Sequence, residues 1–540
     1  MHILSKSTYI KGLQCEKALY MQKKHPYLRD KLSIEQRAKF QRGTDVGVLA
    51  HEVFPGGIDM SPNAPSQFPK KVQETWDKLS NPEVKVMYEA VFQYNDTLIM
   101  LDILVRDGDR WLAVEVKSSM RLSDTYYNDA ALQYYVLHGC GVPLSDFRLM
   151  YLNGDYVKDG SIDVQQLFKM ESVMDYVVDR EAFVAKNVER LKAVVALPHS
   201  PVVNIGTQCH NPYPCDFQGH CWKLIPKNSF LFTTAMDDEM LFQCYFNGVN
   251  TNAKMLQQVE PDSEEAHQIE ALETNSYYID YKTLYSLAPQ PKPKSVAFLN
   301  LLLNRPAVPE LDGTRPYEEM ILAFALQGEH EHDAAIDPSL RTSQRGDDMA
   351  AVSSLRGDDM AAVRGQRRDD MAAGTGQNKD DMAAGTGQRG KCFAFDEVND
   401  MAAAEGCFVW DCFEDHSRWK EAIPLLIEKL SHYELIVCFT PQNLSTTLLR
   451  HEIIQNQTIG YKVFNLYDIL QEAHFYHPAI KRGLTLQRLE TALFGEAKLF
   501  EHSRILVEAT SNDLLGYQQA REDLITENEI VAKTYQLLFK

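Results

Sequence analysis

Apolar runs between residues 84 and 151 predict three strands, a helix and a fourth strand. Residues 84–94 and 97–106 are rich in Val, Ile, Leu, Tyr and Phe, and they flank Asn95-Asp96, a turn-forming pair, so they read as a hairpin. Residues 111–117 follow the Asp107-Gly108-Asp109 turn as a third strand. From Ser123 or Asp124, the residues Ala130, Gln133, Tyr134 and Leu137 recur at helical spacing, and the helix runs to about His138. Residues 147–151 return to a strand. This order, with a helical region before it, predicts an α/β core.

Further along, 164–196 reads as helical, 201–222 as a loop with three cysteines and several prolines, and 230–290 as helical and acidic. Strands at 295–303, 321–326 and 435–439, with helical spacing near 465–474, predict a second α/β domain. An internal repeat interrupts it. Asp-Asp-Met-Ala-Ala begins at 347, 358, 369 and 380, a constant spacing of eleven. Eleven is also the period of a right-handed coiled coil. Each unit, however, offers only Met and Ala as apolar anchors beside Gly, so an exposed, flexible insertion at about 341–405 is expected. The division is then 1–225, a helical linker region at 226–290, and 291–540 with its insertion.

The 540 residues are 44% apolar and 24% charged, too apolar for a disordered chain and too charged for a membrane protein. The N-terminus lacks an apolar signal core, and no apolar run reaches about 18 residues, so a soluble cytoplasmic protein is expected, with no membrane partner. The formal net charge of −20 argues weakly against nucleic acid. Locally the sign reverses. Lys6, Lys11, Lys17, Lys23, Lys24, Arg29, Lys31, Arg37, Lys39 and Arg42 are opposed only by Glu16, Asp30 and Glu35. Tyr9, Tyr20 and Tyr27 are interleaved, as in a phosphate-contacting groove with stacking platforms. A solvated helical face is the alternative.

The chemistry concentrates in Leu101-Asp102-Ile103 and Val114-Glu115-Val116-Lys117. On a strand, Glu115 and Lys117 share one face while Val114 and Val116 share the other. If the preceding strand is the antiparallel neighbour, Asp102 lies beside them. Two carboxylates and an ammonium can bind a hard cation such as Mg²⁺, which activates water and neutralises a scissile phosphate. His51 could add a ligand from the preceding helix, and Gln133 could reach in from the following one. Glu89 sits where another acid could approach, with no role assigned. Cys209, Cys215 and Cys221 form C-x5-C-x5-C, and Cys15 stands far upstream. Four thiolates can hold an iron–sulfur cluster, or zinc with His210 or His220 as a possible addition.

Asp102, Glu115-Val116-Lys117, His51 upstream and Gln133-Tyr134-Tyr135 downstream resemble the RecB-like branch of the PD-(D/E)xK nuclease superfamily. The resemblance implies a restriction-endonuclease-like core that cleaves DNA, single strands or ends, with Mg²⁺ or Mn²⁺. It implies catalytic roles for Asp102, Glu115, Lys117 and Gln133, and a metal set of His51, Asp102, Glu115 and Val116. Cys15 with Cys209, Cys215 and Cys221 is similar to the iron-staple nucleases, including CRISPR-associated RecB-like exonucleases, which implies a [4Fe-4S] cluster. Phe54-Pro55-Gly56-Gly57, the 209–222 loop, Asp312-Gly313-Thr314-Arg315-Pro316-Tyr317 and Phe475-Tyr476-His477-Pro478 resemble a bacterial family joining such a nuclease to a ribonuclease-H-like exonuclease domain. Where that family carries Asp-Phe-Glu this chain has Asn300-Leu301-Leu302. Leu444 and Asn465-Leu466 stand where it has further acids. The resemblance therefore implies an intact nuclease beside a catalytically silent partner, acting in DNA repair or in defence against mobile DNA.

Overall fold

The structure, a computed structural model, describes residues 3–330, 407–440, 463–480, 483–495, 502–511 and 513–539. The insertion expected at 341–405 and Leu444 lie outside the described residues. The fold is mixed α/β with two mixed sheets and many helices.

The first sheet has seven strands: β1 (Leu4–Ser5), β2 (Ile58–Asp59), β3 (Val86–Tyr94), β4 (Thr97–Asp107), β5 (Arg110–Lys117), β6 (Leu144–Leu152) and β7 (Phe168–Ser172). Its order is β2-β3-β4-β5-β6-β7, with β1 parallel to the start of β4. The expected hairpin is β3–β4. Asn95 and Asp96 both take positive φ, 45° and 58°, the backbone a tight two-residue hairpin turn needs. The crossover from β5 to the parallel β6 runs through a helix, as parallel pairing requires.

Six helices cover this sheet: α1 (Lys6–Gln14), α2 (Glu16–Lys24), α3 (Ile34–Ala50), α4 (Phe68–Leu79), α5 (Asp124–Gly139) and α6 (Met174–Ala196). One face packs Phe92, Trp111 and Phe147 against Leu132 of α5 and Leu191 of α6. The other packs Ile103, Val114 and Met150 against Val46 and Ala50 of α3. Ser33 starts α3 with a reciprocal cap, its hydroxyl accepting from the Gln36 N–H at 3.1 Å and its own N–H donating to Gln36 Oε1 at 3.0 Å.

The region 164–196, expected to be helical throughout, is corrected. A single turn, Val164–Leu167, leads into β7, which pairs antiparallel with β6 before α6 begins. β7 is an edge strand in which only Phe168 is buried, so it lacks the alternation that betrays a strand.

After the cysteine loop come α7 (Asp238–Phe246), α8 (Glu264–Thr274) and α9 (Tyr281–Ser286), each begun by a side-chain cap from Asp237, Ser263 or Asp280. The second sheet contains β8 (Ser295–Asn304), β9 (Met320–His330), β10 (Cys407–Asp411), β11 (Leu435–Cys438) and β12 (Val463–Asn465), ordered β10-β9-β8-β11-β12. The long helix α10 (Leu514–Phe539) lays Val531 and Tyr535 on Val296 and Phe298 of β8.

The connector between β8 and β9 reaches back to the first sheet. Ala307, Val308 and Tyr317 join the core that contains Ile103 and Val114. Lys158 and the connector exchange main-chain hydrogen bonds, Lys158 N–H to Thr314 O at 3.0 Å and Gly313 N–H to Lys158 O at 2.7 Å. The Tyr317 hydroxyl donates to the carbonyl of Ser118, one residue past β5. Among the described residues no helix is long and apolar enough to cross a membrane.

Candidate active site

Three adjacent strands bring three carboxyl groups to one level of the first sheet. The β4–β5 register pairs Ile103 with Val114, so Asp102 falls opposite Glu115. The β3–β4 register pairs Tyr88 with Ile103 and Ala90 with Leu101, which places Glu89 opposite Asp102. At this level both strands break step. Met87 and Ala90 face the same core, as do Leu101 and Leu104, spacings of three rather than the two of a regular strand. Glu89 absorbs the irregularity with a φ of 52°. That left-handed backbone costs a residue with a Cβ about 1–2 kcal/mol. Strain held at an acid-lined position is the kind found at functional sites.

Glu115 is 1% exposed and its oxygens are fully engaged. Oε1 accepts from Lys6 Nζ at 2.6 Å and Lys117 Nζ at 2.8 Å, and Oε2 accepts from Gln133 Nε2 at 2.7 Å. Burial alone would raise its pKa, but Lys117 and Lys6 outweigh burial and hold the carboxyl down at about 2. Lys117 also donates to Asp129 at 2.7 Å, and its ammonium lies 4.9 Å from the ring centre of Tyr126. Burial works against its charge, yet Glu115 and Asp129 raise its pKa. Asp102 accepts the Val116 N–H at 2.6 Å. Burial, then the nearby Glu115 charge, push the Asp102 pKa well above the usual carboxylate range, and the same two causes raise Glu89. The site thus holds one firmly ionised acid and two reluctant ones.

The structure therefore brings Asp102, Glu115, Lys117 and Gln133 together. Val116 turns its side chain to the opposite core, so only its backbone faces Asp102. His51 borders the cluster instead of entering it. Its ring stacks on Tyr88 with centroids 4.0 Å apart, and Asp59 is the charge that bears on it. Asp59 in turn bears on Glu89. Burial lowers the His51 pKa, and its Nε2 is buried without a hydrogen-bond partner.

The basic N-terminal stretch is corrected in part. Tyr9 and Tyr20 are core residues, 1% and 5% exposed, leaving Tyr27 alone as a stacking surface. Lys11 and Arg29 both pair with Asp216, tying the N-terminus to the cysteine loop. Arg37, Lys39 and Arg42 remain exposed along α3.

Cys15, Cys209, Cys215 and Cys221 line a single cavity of about 20 Å³ with Ala18, Ile205 and Phe217. Cys15 sits at the joint between α1 and α2. The Cys215 N–H donates to the Cys209 carbonyl at 2.9 Å, and Cys221 ends the short helix Gln218–Cys221. All four are free thiols. Burial pushes Cys215 up to about 11 and raises Cys15 and Cys221 as well. Thiols raised in this way ionise more readily beside a cation. His210 and His220 are not among the lining residues. Among the described residues no group of three His, Cys, Asp or Glu side chains closes on a common metal position.

In the second sheet, Asn300 Nδ2 donates to Glu527 Oε2 at 2.7 Å, and His502 Nδ1 lies 3.0 Å from the same oxygen. Glu527, on α10, is 4% exposed. Asp280 is committed to capping α9, and Asp468 accepts from Asn465. Sequence reasoning missed Lys6, Asp129 and Glu527 as site residues. Lys6 stood within the basic run, but nothing in that run distinguishes it from its neighbours. No protein-family model matches the chain, and no curated protein matches it.

Proposed function

We propose that this chain is a metal-dependent deoxyribonuclease of the RecB-like PD-(D/E)xK kind, acting on single strands or ends. The supporting observation is the arrangement of Asp102 opposite a buried, ionised Glu115 that shares Lys117. Asp102 and Glu115, with Glu89 beside them, form the oxygen donor set for Mg²⁺ or Mn²⁺. A divalent ion bound there would lower the pKa of a bound water and neutralise charge on the scissile phosphate. Lys117, fixed between Glu115 and Asp129, presents its ammonium to the phosphate and the attacking water. Gln133 locks the carboxylate plane of Glu115 from the side away from the lysines. Exposed Arg37, Lys39 and Arg42 offer backbone contacts to the strand.

The four cysteines would hold a [4Fe-4S] cluster that joins the N-terminus to the chain leaving the core, with zinc as the competing occupant. Iron and sulfide analysis of anaerobically purified protein separates the two. We read the second unit as a ribonuclease-H-like domain without its chemistry. A single carboxylate, Glu527, facing an amide at Asn300 cannot form a two-metal site. That observation also favours a second reading, a silent nucleic-acid-binding scaffold.

The deciding experiment incubates the full chain with labelled single- and double-stranded DNA and Mn²⁺. Cleavage that Asp102→Asn and Lys117→Met both remove supports the enzyme. Binding without cleavage in the wild type supports the scaffold.

A further inference from the structure

The shortest contact to Glu115 comes from Lys6, the first residue of α1 and 109 positions away in the chain. The two lysines on this oxygen are held differently. Lys117 has a second anchor in Asp129 and the face of Tyr126, and its side chain is 12% exposed. Lys6 makes its one ion pair to Glu115, and its side chain is 30% exposed. Its ammonium also draws on Asp102, and it is the cation that bears on Glu89. Lys6 is therefore the charge shared by all three carboxyl groups.

The backbone beneath it is held from both sides. β1 pairs with β4 just before Lys6, and α1 packs so tightly that a Cβ on Gly12 would meet the Leu191 methyls at 2.8 Å. The Lys6 side chain already reaches solvent, more so than that of Lys117.

We infer that Lys6 occupies the cation seat of this site, and that a divalent ion binds by displacing its ammonium from Glu115. This rests on the metal-dependent reading proposed above. A divalent ion between the facing carboxyl groups of Asp102 and Glu115 would satisfy them better than one ammonium, whereas Lys117 keeps Asp129 as a partner throughout. Lys6 thereby neutralises part of the charge of the metal-free site, and it weakens metal binding in doing so.

The test is calorimetric titration of the full chain with Mn²⁺ at pH 8, in the wild type and in Lys6→Met, Lys6→Arg and Asp102→Asn, with melting followed in parallel. Lys6→Met is expected to bind Mn²⁺ roughly tenfold more tightly, because the Lys6 ammonium no longer competes for Glu115. Lys6→Arg, which keeps the charge, is expected to bind no more tightly than the wild type. Without metal, Lys6→Met is expected to melt below the wild type, with a larger rise on adding Mn²⁺. Wild-type or weaker Mn²⁺ affinity in Lys6→Met overturns the role of Lys6 alone. The absence, from the wild type and Lys6→Met alike, of any saturable Mn²⁺ binding that Asp102→Asn removes overturns the metal-dependent reading with it.

Discussion

Glu115 and Glu527 are both buried glutamates beside the strands of a mixed sheet, and their surroundings differ in one respect that decides their chemistry. Glu115 has a second carboxyl opposite it and two ammonium groups upon it. Glu527 has an amide opposite it and a histidine beside it. The first arrangement gathers negative charge beyond what a stable core needs and holds it with two lysines. The second satisfies one acid and stops there. An acid becomes chemically useful when its neighbours leave charge unspent, and Asn300 removes that surplus.

The sharpest way to break this comparison is Lys117→Met, expected to lower cleavage on the order of 10³-fold, the usual loss for a group that stabilises transition-state charge. Circular dichroism checks that the fold survives, and retained cleavage would sink the assignment. Next in size is the paired substitution Glu115→Gln and Glu527→Gln. Removing one partner of a buried ion pair costs about 3 kcal/mol, so Glu115→Gln should lose that much in urea unfolding. Glu527→Gln, which keeps hydrogen-bonding capacity toward Asn300, should lose about 1 kcal/mol. Equal losses would mean the two surroundings are alike.

Asn300→Asp should lower stability by about 1–2 kcal/mol at pH 8, because it sets a like charge against Glu527. It should leave cleavage unchanged. A gain of metal-dependent exonuclease activity would show that the second site is one residue from function. The smallest effect is on Asp102. Its folded pKa is raised, so folding binds its proton more tightly, and stability falls as pH rises through the ordinary carboxylate range up to that raised value. Above it the penalty is complete. Metal-free Asp102→Asn should therefore be more stable than the wild type at pH 8 by about 1 kcal/mol, with the gain disappearing near pH 4. A melting series in EDTA across that window reads it directly.

Much of the first site was legible because its information is local. The spacing of Glu115 and Lys117 fixes a shared strand face, and Asn95-Asp96 fixes the hairpin that carries Asp102. Gln133 was reachable from helical period alone. Lys6 was not, because its partnership with Glu115 depends on where β1 docks on β4. The left-handed backbone at Glu89 has no sequence signal, since Glu rarely adopts it. Tyr9 and Tyr20 read as surface platforms among lysines, yet α1 and α2 turn both inward. Glu527 meets Asn300 across 227 residues, so its burial is set by the docking of α10.

The connector from β8 to β9 has a further bearing on how such a chain is inherited. Deleting the second half would strip Ala307, Val308 and Tyr317 from the face above Ile103 and Val114, and would release the backbone just beyond Lys117. The second half thus supplies part of the floor beneath the acidic cluster of the first sheet. Selection on the first site would then retain the second sheet whether or not that sheet carries chemistry of its own.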